Sequence, residues 1–134
     1  MTSEALTKGV HHVGLTVPDV GLAAAFFEAA LGFERVREVP EYPAIFVSDG
    51  TVMLTLWQAT DPHSATPFDR KKVIGLHHLA LKVDPTVLDD LYQKVSSADD
   101  VKIEFSPEPL RGGPIRHMMC HIPGGIRLEL IGVA

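Results

Sequence analysis

Residues 10–17 read Val-His-His-Val-Gly-Leu-Thr-Val, an apolar–polar alternation that predicts a β-strand. Pro18-Asp19 breaks that pattern. Asp19 is an expected N-cap, Leu22, Ala25, Phe26 and Ala29 mark one helical face, and Gly32 falls past the helix end. Three strand candidates follow, at about 33–39, 43–48 and 51–58, with Ser48-Asp49-Gly50 as a hairpin signal. The same order then recurs. Residues 75–83 predict a strand, Asp84 a cap, Pro85 a first helical turn, and Leu88, Leu91, Tyr92 and Val95 a core-facing helix side. Strand candidates at 101–105, 115–122 and 125–132 complete the second copy, with Pro123-Gly124-Gly125 as the last turn. The pattern is β-α-β-β-β, twice.

The repeat is also visible residue by residue. Gly9-Val10-His11-His12-Val13-Gly14-Leu15-Thr16-Val17 matches Gly75-Leu76-His77-His78-Leu79-Ala80-Leu81-Lys82-Val83, so 66 residues separate His12 from His78. A first module spans about 9–58, a linker about 59–73 and a second module about 74–132. One such unit buries too little surface to stand alone, so the copies are expected to share a core within a single domain, 1–134.

Composition narrows the partners. The 134 residues are 46% hydrophobic and 22% charged, ordinary for a globular chain. The net charge is −5, from 12 basic and 17 acidic residues, which argues against nucleic acid as a partner. Cys120 is the single cysteine, so an intrachain disulfide is excluded. The apolar stretches are too short to span a bilayer and the N-terminal segment is polar, which leads to the expectation of a cytoplasmic protein without membrane contact.

Strand alternation sorts the chemistry. Val13, Leu15 and Val17 should cover the helix, leaving His12 on the opposite face, and the repeat places His78 likewise. In Ile126-Arg127-Leu128-Glu129-Leu130 the same rule puts Arg127 and Glu129 on the helix-free face. A curled sheet can converge His12, His78 and Glu129. Two imidazoles and a carboxylate suit one divalent ion (Zn, Ni, Mn, Co or Fe) and leave positions open for substrate.

These residues carry a resemblance to the vicinal-oxygen-chelate superfamily, which includes glyoxalases, epimerases, extradiol dioxygenases, fosfomycin-resistance transferases and bleomycin-resistance proteins. It rests on His-His-Val-Gly-Leu-Thr-Val-Pro-Asp, Phe-Phe-Glu-Ala-Ala-Leu-Gly-Phe, Gly-Leu-His-His-Leu-Ala-Leu-Lys-Val and Pro-Gly-Gly-Ile-Arg-Leu-Glu-Leu, and covers nearly all of 9–132. The implied fold is α+β: two tandem βαβββ modules forming a curled eight-stranded mixed sheet with helices on its outer face. The implied ligand positions are His12, Thr55, His78 and Glu129; threonine is a poor ligand, so His12, His78 and Glu129 are the expected metal set. A homodimer is expected, its sites lying either within one chain or across the interface.

The resemblance implies a metal-dependent lyase or isomerase of glyoxalase type, whose substrate chelates the metal through neighbouring oxygens. The alternatives are an Fe(II) extradiol-type ring-cleaving dioxygenase, a fosfomycin-type transferase, or a metal-free ligand-binding resistance protein. Met119 stands where the extradiol pattern has a tyrosine, and Gly14 where the fosfomycin pattern has a threonine. Glu129 is also the candidate base. His117 is a candidate acid/base group, and His117 and His121 read equally as strand-end residues. Met53, Thr55, Trp57 and Met119 either line a substrate pocket or simply pack. Arg111, in a Pro- and Gly-rich loop, either closes on an anionic substrate or marks a turn.

Overall fold

A computed structural model describes residues 4–134. Met1, Thr2 and Ser3, part of the polar N-terminal segment, lie outside the described residues. The elements run β1 (His12–Val17), α1 (Val20–Leu31), β2 (Glu34–Val39), β3 (Ala44–Ser48), β4 (Met53–Gln58), β5 (Leu79–Val83), α2 (Leu88–Ser96), β6 (Lys102–Pro109), β7 (Arg116–His121) and β8 (Arg127–Gly132). The βαβββ order is therefore present twice. A 3₁₀ turn, Pro85–Val87, leads into α2.

Local chemistry explains the helix ends. Asp19 is extended and accepts a hydrogen bond from the Leu22 N–H at 3.0 Å, capping α1. Gly32 closes α1 at φ +76°, a left-handed position that suits glycine. Asp84 accepts hydrogen bonds from both the N–H and the hydroxyl of Thr86.

The strands form two four-stranded mixed sheets, ordered β1-β4-β3-β2 and β5-β8-β7-β6. In each, the first strand is an edge that pairs in parallel with the last, and the remaining pairs are antiparallel. The registers repeat: Gly14 lies opposite Thr55 as Ala80 lies opposite Glu129.

Each helix packs on its own sheet, and the two helices also pack on each other. One continuous core results, joining Phe26, Phe27, Leu54 and Leu56 to Leu88, Val95, Leu128 and Leu130. Burial of this shared apolar surface holds the modules together. The turn between β7 and β8 adds a second contact, because a Cβ on Gly124 would lie 2.5 Å from Pro18 Cδ at the end of β1. Gly124 also has φ +98°, so the approach and the backbone conformation both call for glycine.

The face of α1 differs from the one its sequence suggested. Val20, Ala23, Ala24, Phe26, Phe27 and Ala30 are buried, whereas three of the four expected face positions, Leu22, Ala25 and Ala29, are exposed. Apolar residues surround almost the whole helix, so spacing alone does not choose a side. In α2, which has a polar side, Leu88 and Val95 are buried and Leu91 and Tyr92 half-buried, as expected.

Candidate functional site

The helix-free face of the second sheet can be read in rows, because directly paired residues point to the same side. Arg127 pairs with His121, Glu129 with Met119, and Ile131 with His117. Ala80 flanks Glu129 on the other side, and the same register brings His78, just before β5, level with Arg127.

Glu129 is only 8% exposed, and its carboxylate is held from two directions. Oε1 lies 3.1 Å from His78 Nε2, and Oε2 lies 2.6 Å from His117 Nδ1. His77 Nδ1 is 2.8 Å from His78 Nδ1. A single proton pattern satisfies the chain: His77 donates to His78, and His78 and His117 each donate to the carboxylate. Phe105 packs on the His117 ring, with centroids 5.0 Å apart. Met119 is buried beside Glu129.

One row away, Glu104 binds Arg127 at two points. Arg127 Nε donates to Oε1 at 2.9 Å and Nη2 to Oε2 at 2.6 Å. His121 Nε2 is 3.1 Å from Oε1, and Arg70, from the connecting segment, reaches Oε1 at 3.5 Å. These contacts, chiefly the Arg127 hydrogen bond, hold the Glu104 carboxyl down at about 2. Desolvation, then the charges of His78, Arg127 and Arg70, push the His77 pKa below its ordinary value. Glu104, in alternation with Ile103 and Phe105, is a charged strand residue that the sequence reading did not single out.

The first sheet offers a different surface. His12 is exposed, and its ring lies 2.9 Å, Nδ1 to Nδ1, from His11. Thr55 is buried, and its hydroxyl accepts a hydrogen bond from Trp57 Nε1 at 2.9 Å. Tyr42 and Phe46 pack on Trp57 at 5.4 and 5.6 Å between centroids. Met53 is half-buried in the same strand.

The structure thus brings His78, His117 and Glu129 together, with Met119 beside them, and groups Thr55 with Trp57. His12 stands in the other sheet. Among the described residues, no group of three or more His, Cys, Asp or Glu side chains is placed to hold a metal ion within one chain. Arg111 is exposed in the turn Leu110–Gly112 at φ +53° and makes no side-chain hydrogen bond among the described residues. Cys120 is buried, which pushes its thiol up to about 12 and leaves it unreactive. A separate cleft of about 530 Å³ runs between β1 and the connecting segment, lined by Gly14, Thr16, Phe68, Ile74 and Ile126 among others. No described helix is long and apolar enough to cross a membrane.

Comparison with known proteins gives a consistent result. The family model described as Glyoxalase/Bleomycin resistance protein/Dioxygenase superfamily matches residues 9–130. The human mitochondrial methylmalonyl-CoA epimerase is 29% identical over 131 residues, covering 90% of this chain and 72% of that protein. A 2-epi-5-epi-valiolone epimerase from an Actinomyces species is 27% identical over 146 residues, covering 92% and 79%. Among solved structures, a putative glyoxalase from Bacillus halodurans is 27% identical with a TM-score of 0.75, covering 92% of this chain and 95% of that one.

Proposed function

The chain belongs to the Glyoxalase/Bleomycin resistance protein/Dioxygenase superfamily, and from that premise we propose that it is a divalent-metal-dependent enzyme of isomerase or lyase type. The observation that carries this reading is the Glu129 carboxylate, buried and held between His78 and His117. A buried carboxylate with an imidazole at 2.6 Å is a pair that can take a proton from a carbon acid and return it. The epimerases matched above perform a change of that kind by name. Ring-cleaving dioxygenase chemistry has less support, because buried Met119 occupies the place of the expected tyrosine.

The donor set fits a metal when two copies of the chain are considered. His78 Nε2 and Glu129 Oε1 converge, and with the His78 proton moved to Nδ1, facing His77, they would offer an imidazole lone pair and a carboxylate oxygen suited to Zn, Mn, Co, Ni or Fe. The third ligand would be His12 of the partner subunit. Two open sheet edges support a homodimer of this kind, as do the exposed apolar residues Val10, Ile74 and Leu76, which precede the two histidine pairs. A bound divalent ion would supply Lewis-acid stabilisation of negative charge on substrate oxygens.

The chain's own residues do the rest. Glu129 Oε2 and His117 Nδ1 share the proton that moves. The aromatic face of Trp57, Phe46 and Tyr42 would close over the substrate from the partner and exclude water. Thr55 contributes no carboxylate opposite Glu129, so one carboxylate serves the proton transfer. The protein is read as one domain, 1–134, acting in the cytoplasm on a small molecule.

The test is metal analysis of the purified protein, coupled to proton exchange of methylmalonyl-CoA in D₂O followed by NMR. Stoichiometric metal, lost in His78→Ala, with exchange lost in Glu129→Gln, is the expected result. Metal-free protein with unchanged ligand binding in both variants would overturn it.

A further inference from the structure

The row next to Glu129 gathers several basic side chains around one carboxylate. Arg127 and Arg70 both address Glu104, and Lys102 is the register partner of His121 in the same row. This basic cluster sits in a chain whose net charge is −5.

The arginines also keep free donors. Arg127 commits Nε and Nη2 to Glu104, while its Nη1 makes no hydrogen bond among the described residues. Arg70 has one long contact through Nη1, leaving Nε and Nη2 free. No buried side-chain nitrogen or oxygen among the described residues lacks a partner, so these free nitrogens reach accessible space. His121 uses both ring nitrogens, on Glu104 and on the Gly125 carbonyl, and so fixes the carboxylate that positions Arg127. Arg127 and Glu129 are two residues apart on one strand, which sets their Cα atoms about 7 Å apart on the same face.

We propose that Arg127 and Arg70 form an anion-recognition subsite beside Glu129, selecting a substrate that carries a carboxylate or phosphate about 7 Å from the reacting centre. The substrate assignment rests on the functional reading above; the anion site itself does not. Arg127 supplies a donor held in place by Glu104, and Arg70, from the connecting segment, a second one. A planar guanidinium suits either oxyanion, so the two are separated by experiment.

The test is calorimetric titration of the purified protein with malonate and, separately, with inorganic phosphate. Saturable binding is expected for at least one of them, and the tighter one names the group. Arg70→Gln should weaken it about tenfold and Arg70→Lys less. Arg116→Gln, which removes an arginine paired with Asp89 of α2, should leave it within about twofold. Absence of binding to the unmodified protein, equal binding by Arg70→Gln, or an equal loss in Arg116→Gln would overturn the proposal. Metal content, measured on the same samples, reports separately on the functional reading. Retained metal in Arg70→Gln shows that any lost binding comes from the guanidinium and not from a collapsed site.

Discussion

The two sheets share a strand order and a register but carry different side chains at equivalent places. Met53, Thr55 and Trp57 of β4 correspond to Arg127, Glu129 and Ile131 of β8. At the centre of the first helix-free face Trp57 therefore packs between Tyr42 and Phe46, while the charged Arg37 and Glu34 are kept to the edge strand β2, paired with Phe46 and Ser48. The second is a hydrogen-bonded network of His78, His117 and Glu129, with Arg127, His121 and Glu104 beside it. Duplication supplied a symmetric scaffold, and substitution gave one half an aromatic cluster and the other a hydrogen-bonded network of charged and imidazole side chains. Two apolar faces would exclude water and leave no proton carrier; two charged faces would carry a larger desolvation cost.

The sharpest way to break this division is to exchange function at equivalent positions. Glu129→Gln should lower kcat/KM for the proton-exchange reaction by about 10²–10⁴, the usual range for a lost acid–base group. Thr55→Val, its equivalent, should change it by less than about threefold, since Thr55 bonds only Trp57. Equal losses in both would remove the distinction.

The next largest effect tests how the halves combine. His12→Ala and His78→Ala subunits, each inactive alone, should recover roughly a quarter of native activity on mixing if sites form across a dimer. Random pairing makes half the dimers mixed, and each mixed dimer has one intact site. No recovery after subunit exchange would place the whole site in one chain.

Stability should divide the same way. Arg127→Met leaves Glu104 without its two-point partner in a largely buried setting and should cost about 2–3 kcal/mol in urea unfolding. Folding lowers the Glu104 carboxyl to about 2, so the unfolded chain holds that proton more tightly. The stability it provides is complete above the ordinary carboxylate range and is lost as pH falls from there through about 2. Unfolding free energy measured between pH 5 and 2 should therefore fall less steeply in Glu104→Gln. Trp57→Phe should have the smallest effect, about 1 kcal/mol, from the lost hydrogen bond to Thr55.

Much of this was legible before the fold was known. The duplicated His-His segments, the caps at Asp19 and Asp84, and the placement of Glu129 opposite the helices all follow from alternation and turn chemistry. The buried side of α1 was not legible, because Val-Gly-Leu-Ala-Ala-Ala-Phe-Phe presents apolar residues nearly all round, whereas the polar side of α2 declared itself. Glu104 was missed because its partners, Arg70, His121 and Arg127, come from three other segments of the chain.

The sequence by itself determined the repeated βαβββ units and which side chains share a face of each strand, because those depend on short-range periodicity and turn chemistry. Only the tertiary structure decided which faces meet. The helices of the two units pack together into one core, and the connecting segment brings Arg70 to Glu104 of the second sheet. That choice depends on burying apolar surface between distant segments, a sum over the whole molecule that no local pattern contains.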